Sequence, residues 1–188
     1  MPRSAEQTRR RILETAYKLF YRRGFARTGV DEIAASAAVT KRTLYYHFDS
    51  KDELVAAVLE LHHEQALAGI RKWSDRLSGD LNVMLDRLFA DLADWASGPR
   101  WAGAGFTRLV MELADLPGHP ARAIARRHKA AVEAWLAGEL AKRKVALPNE
   151  RARQVMLLLE GSMSLMLIHG NRRYAGAAAE AAKRLLAR

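Results

Sequence analysis

The chain has 188 residues, and 49% of them are hydrophobic, which permits a core and excludes wholesale disorder. Its 31 Lys and Arg against 21 Asp and Glu give a formal net charge of +10, which favours a polyanionic partner, either nucleic acid or an anionic membrane surface. Cysteine is absent, which excludes disulfides and thiolate zinc sites and fits an intracellular setting.

The positive charge is densest at the N-terminus. Residues 1–50 hold ten Lys and Arg against five Asp and Glu, whereas residues 51–188 hold 21 against 16. No apolar segment follows the first charges, so the sequence predicts no secretory signal. The longest apolar stretch, 155–168, contains Glu160 and is shorter than the roughly 20 residues that a membrane span needs. We therefore expect a soluble, cytoplasmic protein without membrane contact.

The hydrophobic periodicity predicts an all-α fold of about nine helices. No segment alternates with a period of two, and all five prolines fall at predicted helix boundaries. Gly24 is a natural stop for the first helix, and Ser50 with Glu53 forms a capping box for the fourth. The helices are predicted over about 5–23, 30–37, 41–48, 51–73, 81–95, 101–114, 120–144, 149–169 and 174–186.

The second and third helices are short, lie close together and belong to the basic N-terminal region, which indicates a helix-turn-helix. Apolar residues such as Ile33 and Leu44 can hold them at a fixed angle. The small residues Ala34 and Ala38 permit a close approach at the turn. The third helix would then present its first residues to the major groove of duplex DNA. Those residues are Thr40, Lys41, Arg42 and Thr43.

Arg42 is the strongest candidate for a base contact, because a guanidinium can bond guanine O6 and N7 together. A phosphate contact, or simple solvation, is the alternative. Tyr45, Tyr46, His47 and Lys51 carry groups that suit phosphate oxygens, and such contacts fix register rather than sequence. A position at the edge of the core for Tyr45, and a solvated surface position for His47, stay open.

The segment from Gly24 to Glu53, with its run TLYYHF followed by Asp49, Ser50 and Lys51, resembles the signature of the TetR (tetracycline-repressor) family. The resemblance implies a helix-turn-helix DNA-binding domain over 1–50 and a helical effector-binding and dimerisation domain over 51–188. Gly29 and Arg42 depart from the family pattern, so the DNA preference should differ there first. Carried over by position, the family's DNA contacts fall on Thr28, Thr40, Lys41, Arg42, Thr43, Tyr45, Tyr46, His47 and Lys51.

The resemblance also implies a homodimer that reads a near-palindromic operator with half-sites about 34 Å, or a multiple of it, apart. The family's dimer surface is formed by the last two long helices. The first of these, over 149–169, is apolar nearly all round, which indicates cover on two sides. A central helix buried within one subunit is the alternative. The candidate interface residues are Met156, Leu159, Ser162, Met163, Met166 and Leu167.

The middle helices carry aromatic and methionine residues that suit an adaptable apolar cavity, and that equally suit an ordinary core. The resemblance implies an effector pocket among them. A small apolar or aromatic effector that binds the DNA-incompetent state better would lower operator affinity. Glu160 stands in an apolar run and must find a partner. The candidate pocket residues are Met84, Leu88, Trp101, Phe106, Glu112, His128, Trp135 and Glu160.

Two other classes of protein fit less well. The sequence has no HExxH, Gly-rich phosphate loop or G-x-S-x-G motif, so we predict no catalytic residues, no cofactor and no metal site. A basic membrane-surface helix is disfavoured because residues 9–11 are consecutive arginines that run around their helix. We predict a sequence-specific transcriptional regulator, a repressor by resemblance. The alternative is a TetR-like regulator without a small-molecule effector, controlled by a protein partner.

Overall fold

The computed structural model describes residues 4–74, 79–99 and 101–187. Over these residues the chain forms nine helices and no strand, which confirms the predicted all-α class. The helices are α1 (Ala5–Arg23), α2 (Val30–Ser36), α3 (Lys41–His47), α4 (Lys51–Ser74), α5 (Leu81–Trp95), α6 (Gly105–Glu112), α7 (Pro120–Lys142), α8 (Pro148–His169) and α9 (Arg173–Leu186).

Local signals set most of the helix boundaries. Ser4 and Gln7 form a capping box at the start of α1, and Gly24 ends α1 with φ +88°, as predicted. Pro148 opens α8 at a position where no backbone N–H is needed. The sixth helix is shorter than predicted, because the backbone at Gly103 takes φ +85° and helical geometry starts only at Gly105.

The predicted capping box of α4 forms in part. The Ser50 hydroxyl accepts a hydrogen bond from the backbone N–H of Glu53 at 3.1 Å. The Glu53 carboxylate accepts from the backbone N–H of Asp49 instead of that of Ser50. Both bonds still satisfy donors at the start of the helix, which is the physical purpose of the motif.

The chain folds into two compact units. Unit 1 comprises Met1–Ala66 with Gly105–His128, and unit 2 comprises Leu67–Ala104 with Lys129–Arg188. This grouping follows packing, whereas the predicted division at residue 50 follows function, and that division stays a prediction. None of the helices in the described ranges combines the length and the apolar character needed to cross a membrane.

The core of unit 1 holds the first three helices together. Ile12 of α1, Ile33 of α2 and Leu44 of α3 are fully buried in one cluster, with Phe48 beside them. Each aliphatic side chain of this kind stabilises the fold by roughly 1.5–3 kcal/mol through the apolar area it removes from water. This cluster fixes the orientation of α3.

The core of unit 2 is built mainly from α5, α7, α8 and α9. Met84, Leu136, Leu140 and Val155 are fully buried in it. The inner face of α9 is a row of alanines, which lets that helix approach α5 and α8 closely. The buried alanines are Ala175, Ala178, Ala179 and Ala182.

Candidate nucleic-acid interface

The turn between α2 and α3 is tight and partly strained. The N–H of Ala38 donates to the carbonyl of Ala35 at 3.0 Å, and that of Val39 donates to the carbonyl of Ala34 at 3.0 Å. Ala38 adopts a left-handed backbone with φ +51°. This conformation costs a non-glycine residue roughly 1–2 kcal/mol. The turn thus sets the angle between the two helices of the motif.

The start of α3 is held by its own side chains. Thr40 is the N-cap, and its hydroxyl accepts from the N–H of Thr43 at 3.0 Å. The two threonine hydroxyls lie 2.8 Å apart. Leu44 and Phe48 are buried below them, so α3 has one face fixed in the core and one face free.

The outer face of α3 displays donors and aromatic rings to solvent. Arg42 is exposed, and Tyr46 keeps 80% of its surface exposed. Tyr45 is 42% exposed, which is compatible both with a phosphate contact and with a position at the edge of the core. His47 is half-buried and packs its ring edge-on to Tyr46 at 5.2 Å. A surface of this composition is suited to base edges and phosphates together.

Lys41 stands on the same face with a partner of its own. Its Nζ lies 3.0 Å from the Asp31 carboxylate of α2. A hydrogen bond from Lys41 to Asp31, with the negative charge there, raises the pKa of Lys41. Because both side chains are exposed, the pair adds little stability. A phosphate that binds Lys41 would compete with Asp31 for the ammonium group.

Lys51 closes the loop between α1 and α2 from the start of α4. Its Nζ donates to the carbonyl of Phe25 at 2.8 Å and lies 4.1 Å from the centre of the Phe25 ring. Burial lowers the pKa of Lys51, while the charges of Asp52 and Glu112 oppose that shift. The predicted phosphate contact of Lys51 stays a prediction, and the structure adds a bracing role for this ammonium group.

Thr28 is the one predicted contact residue with a fully buried side chain. Its hydroxyl donates to the carbonyl of Gly24 at 2.7 Å. That bond shapes the same loop and uses the only proton the hydroxyl can donate. A DNA contact by Thr28 stays a prediction, and the geometry favours a structural role for its hydroxyl.

Two side chains near the motif were not assigned to it from the sequence. Glu112, at the end of α6, accepts a hydrogen bond from the backbone N–H of Ala26 at 3.0 Å. The guanidinium of Arg9 lies 5.0 Å from the centre of the Phe48 ring. Arg9 therefore lies beside the residue that ends α3, and its place in a basic triplet on α1 was the signal for it.

The predicted pocket residues do not gather in one unit. Phe106, Glu112 and His128 belong to unit 1, and the other five belong to unit 2. Phe106 stacks on the His128 ring with centres 3.9 Å apart, and His128 Nδ1 lies 3.2 Å from Nδ1 of the buried His63. These rings form part of the core of unit 1. The pocket stays a prediction.

In unit 2 most of the predicted pocket residues line the core. Met84 and Leu88 are buried, and Trp101 and Trp135 pack half-buried against the same cluster. Glu160 stands in an apolar run of the sequence, and its carboxylate forms an ion pair with the ammonium group of Lys129. The two aliphatic members are thus core residues, and the two tryptophans stand at the edge of that core.

The predicted dimer surface on α8 stays a prediction, and most of its chosen residues are buried within unit 2. Four of the six chosen residues point into the core of unit 2, because a helix that is apolar all round gives no periodic signal for its inner face. The face left in solvent has Leu157 at 70% and Ile168 at 72% exposure. Leu167 alone of the chosen set is exposed, and Met163 is half-buried. The four buried residues are Met156, Leu159, Ser162 and Met166.

Comparison with known proteins places the helix-turn-helix in a family. Residues 12–58 match the family model described as bacterial regulatory proteins, tetR family. The chain is 40% identical over 92 residues to the probable HTH-type transcriptional regulator ArpR of Pseudomonas putida, covering 47% of this chain and 44% of that protein. It is 48% identical over 60 residues to the HTH-type transcriptional regulator TtgR, also of Pseudomonas putida, covering 32% and 29%. The matches thus span less than half the length of these curated relatives.

Solved structures resemble the whole fold. A TetR-family transcriptional regulator from Streptomyces coelicolor superposes with a TM-score of 0.85 at 24% identity, over 97% of each chain. A putative TetR transcriptional regulator from Streptomyces avermitilis superposes with a TM-score of 0.76 at 28% identity, over 94% of this chain and 98% of that one. The likeness therefore extends beyond the helix-turn-helix to the second unit.

Proposed function

The chain belongs to the TetR family of bacterial regulatory proteins, and we propose that it binds a near-palindromic DNA operator as a homodimer and represses transcription until an effector binds. The observation that carries the DNA-binding part is the outer face of α3. Arg42, Tyr45 and Tyr46 face solvent there, whereas Leu44 and Phe48 anchor the opposite face in the core. A helix fixed on one side and bearing donors on the other fits the major groove.

The chemistry of each side chain on the outer face of α3 decides whether we assign it a base contact or a phosphate contact. Arg42 can read guanine through two parallel hydrogen bonds, so we assign it the base contact. Tyr45, Tyr46 and His47 are assigned to phosphates, which fix the register of the helix on the duplex. Lys41 joins them when a phosphate displaces Asp31.

The test is a binding measurement by fluorescence anisotropy on the duplex upstream of the protein's own gene, beside a shuffled duplex of equal composition. We expect preference for the former and a steep salt dependence, with about 0.9 in the logarithmic slope for each phosphate neutralised. Arg42→Ala should reduce the preference, since one bidentate contact discriminates by about 1–3 kcal/mol. Lys51→Ala should weaken both duplexes alike.

Arg126→Ala is the matched control, because Arg126 is exposed on α7 and lies outside the proposed interface. It should leave the preference and the salt slope unchanged. Equal affinity of the wild-type protein for both duplexes, at every salt concentration, would refute specific binding.

The homodimer is supported by the exposed apolar face of α8. Leu157 and Ile168 stand more than two-thirds exposed, and Gly161 and Ser164 lie between them on the same face. Small residues between large ones permit close approach of a second helix, and two-fold symmetry pairs a surface with itself. A homodimer also carries two helix-turn-helix motifs, one for each half-site of the operator. Leu165 and Leu167 flank this face, at 38% and 43% exposure.

Sedimentation equilibrium tests the homodimer. We expect twice the chain mass of 21.0 kDa for the wild type and a monomer for Leu157→Glu with Ile168→Glu. Leu116→Glu is the matched control, since Leu116 is a 48% exposed leucine outside α8 and should leave the dimer intact. A monomeric wild type at micromolar concentration, or a double variant that stays dimeric, would contradict this interface.

The effector response is supported by a buried N–H in unit 2 that has no hydrogen-bond acceptor among the described residues. The indole Nε1 of Trp101 is buried, and no hydrogen-bond partner for it lies among the described residues. The Trp95 ring stands edge-on to it at 5.7 Å. An aromatic effector with an acceptor atom would satisfy that N–H, which is costly to leave unpaired.

Release of bound DNA by 2-naphthol tests this part, because 2-naphthol is an apolar aromatic probe with an acceptor oxygen. We expect release from the wild type and a weaker response from Trp101→Phe, which lacks the N–H. If 2-naphthol leaves the complex intact, the effector assignment at Trp101 fails. Release by a protein partner instead would favour a regulator without a small-molecule effector.

A further inference from the structure

A cleft lies in unit 1 between α1 and α4, and none of the residues that line it has been assigned a role above. Its volume is about 200 Å³. Since an apolar cavity of about 150 Å³ can hold benzene, there is room for one aromatic ring with a small substituent. An adjoining cavity on the α6 side measures only about 30 Å³, which suits water and no ligand of this kind. The cleft is lined by Glu14, Tyr17, Lys18, Val58, Leu61, His62 and Gln65.

Two rings form one wall of this cleft, and both are neutral at physiological pH. The Tyr17 hydroxyl lies 3.2 Å from Nε2 of His62, and the two ring centres are 4.4 Å apart. Burial lowers the pKa of His62 to about 4. Burial, with a smaller contribution from Tyr21, raises the pKa of Tyr17 to about 12. The phenol and the imidazole lie within hydrogen-bond distance, and the wall that the two tilted rings form is aromatic and uncharged.

The rim of the cleft is richer in donors than in free acceptors. The Lys18 side chain is exposed, and its ammonium forms no ion pair with any residue in the described ranges. The Gln65 amide stands on the same rim. The carboxylate of Glu14 is already engaged by Arg10 at 2.9 Å. A ligand group that enters here meets an ammonium and an amide N–H, which both favour an anionic acceptor.

We propose that this cleft binds a small planar aromatic anion, with its ring against Tyr17 and His62 and its carboxylate toward Lys18 and Gln65. Val58 and Leu61 supply the apolar floor for the ring. The site shares no residue with the predicted effector pocket. A molecule bound in this cleft contacts both α1 and α4. These helices stand directly before and after the helix-turn-helix (α2 and α3) in the chain.

Benzoate is the probe, and the full-length, DNA-free protein is the sample. A ¹⁵N–¹H correlation spectrum recorded during titration should show shifts at the amides around Tyr17, Val58 and His62. Benzamide, which has nearly the same shape without the charge, should bind more weakly. Lys18→Gln should weaken benzoate binding about two- to fivefold, the range for one exposed ion pair.

Leu61→Trp fills the cleft and should abolish the shifts. Gln65→Trp, at an exposed position, is the second filling variant in case the first perturbs the fold. Arg22→Gln is the matched control, because Arg22 is an exposed cation on α1 that does not line the cleft. It should bind benzoate like the wild type.

The proposal fails if millimolar benzoate shifts no amide of α1 or α4, if both filling variants bind as well as the wild type, or if benzamide matches benzoate. Because no DNA is present, such a failure leaves the proposed operator binding untouched.

Discussion

Gly24 and Glu112 form a contact that can be dissected by a double-mutant cycle. Gly24 ends α1 with φ +88° and ψ 162°, a conformation almost restricted to glycine. A Cβ added there would lie 2.8 Å from Oε1 of Glu112. The Glu112 carboxylate meanwhile accepts the N–H of Ala26 at 3.0 Å. Gly24→Ala should therefore strain the backbone and also push the carboxylate away from its donor.

The magnitudes follow from these two effects. The backbone conformation costs an alanine about 1–3 kcal/mol. Loss of the hydrogen bond to Ala26 costs about 1 kcal/mol more. We expect Gly24→Ala to lower the free energy of unfolding by about 2–4 kcal/mol, and Glu112→Ala to lower it by about 1 kcal/mol.

The double variant separates the two effects. Once Glu112 is an alanine, Gly24→Ala should cost only the backbone strain, so the two substitutions should be non-additive by about 1 kcal/mol. Urea denaturation monitored by circular dichroism measures all four proteins. Strict additivity would show that the carboxylate does not occupy the path of the Gly24 Cβ, and a negligible effect of Gly24→Ala would refute the strain argument altogether.

Two further predictions concern other parts of unit 1. Ala38→Gly should raise the free energy of unfolding by about 0.5–1 kcal/mol in urea denaturation. Glycine adopts the left-handed backbone without strain, and the larger backbone entropy of glycine in the unfolded chain offsets only part of this stabilisation. A lower free energy of unfolding for the variant would contradict this prediction. Since burial lowers the pKa of His62 from 6.5 to about 4, the unfolded chain takes up a proton first as the pH falls. Stability should decline between pH 6.5 and 4 with a slope approaching about 1.4 kcal/mol per pH unit, and His62→Phe should flatten the decline measured at successive pH values.

The helices themselves were largely predictable, because their signals are local. Thr40 caps α3 through a bond that spans three residues, and Gly24 stops α1 by its own backbone freedom. Ile12 and Phe20 of α1 are buried and stand eight positions apart, a spacing that is typical of one face of a helix. Each of these features depends on neighbours within one or two helical turns, which the sequence displays directly.

The contacts that support the candidate interface were not predictable in this way. The hydrogen bond between Ala26 and Glu112 joins residues 86 positions apart, and no local sequence pattern predicts such a contact. On α8 the apolar residues surround the helix, so Met166 and Ile168 were indistinguishable until the packing showed one buried and the other exposed. Thr28 matched the family pattern, yet its burial depends on how the loop folds back onto Gly24.

Protection of guanine N7 from dimethyl sulfate tests the central claim most directly, because α3 is proposed to read guanine through Arg42. On the duplex upstream of the gene, we predict protected guanines in two half-sites about one helical turn, ~34 Å, or a multiple of it, apart. The protection should vanish with Arg42→Ala at protein concentrations that still saturate the duplex. Guanines that stay fully reactive under the wild-type protein, or protection that Arg42→Ala leaves unchanged, would contradict this account of the reading helix.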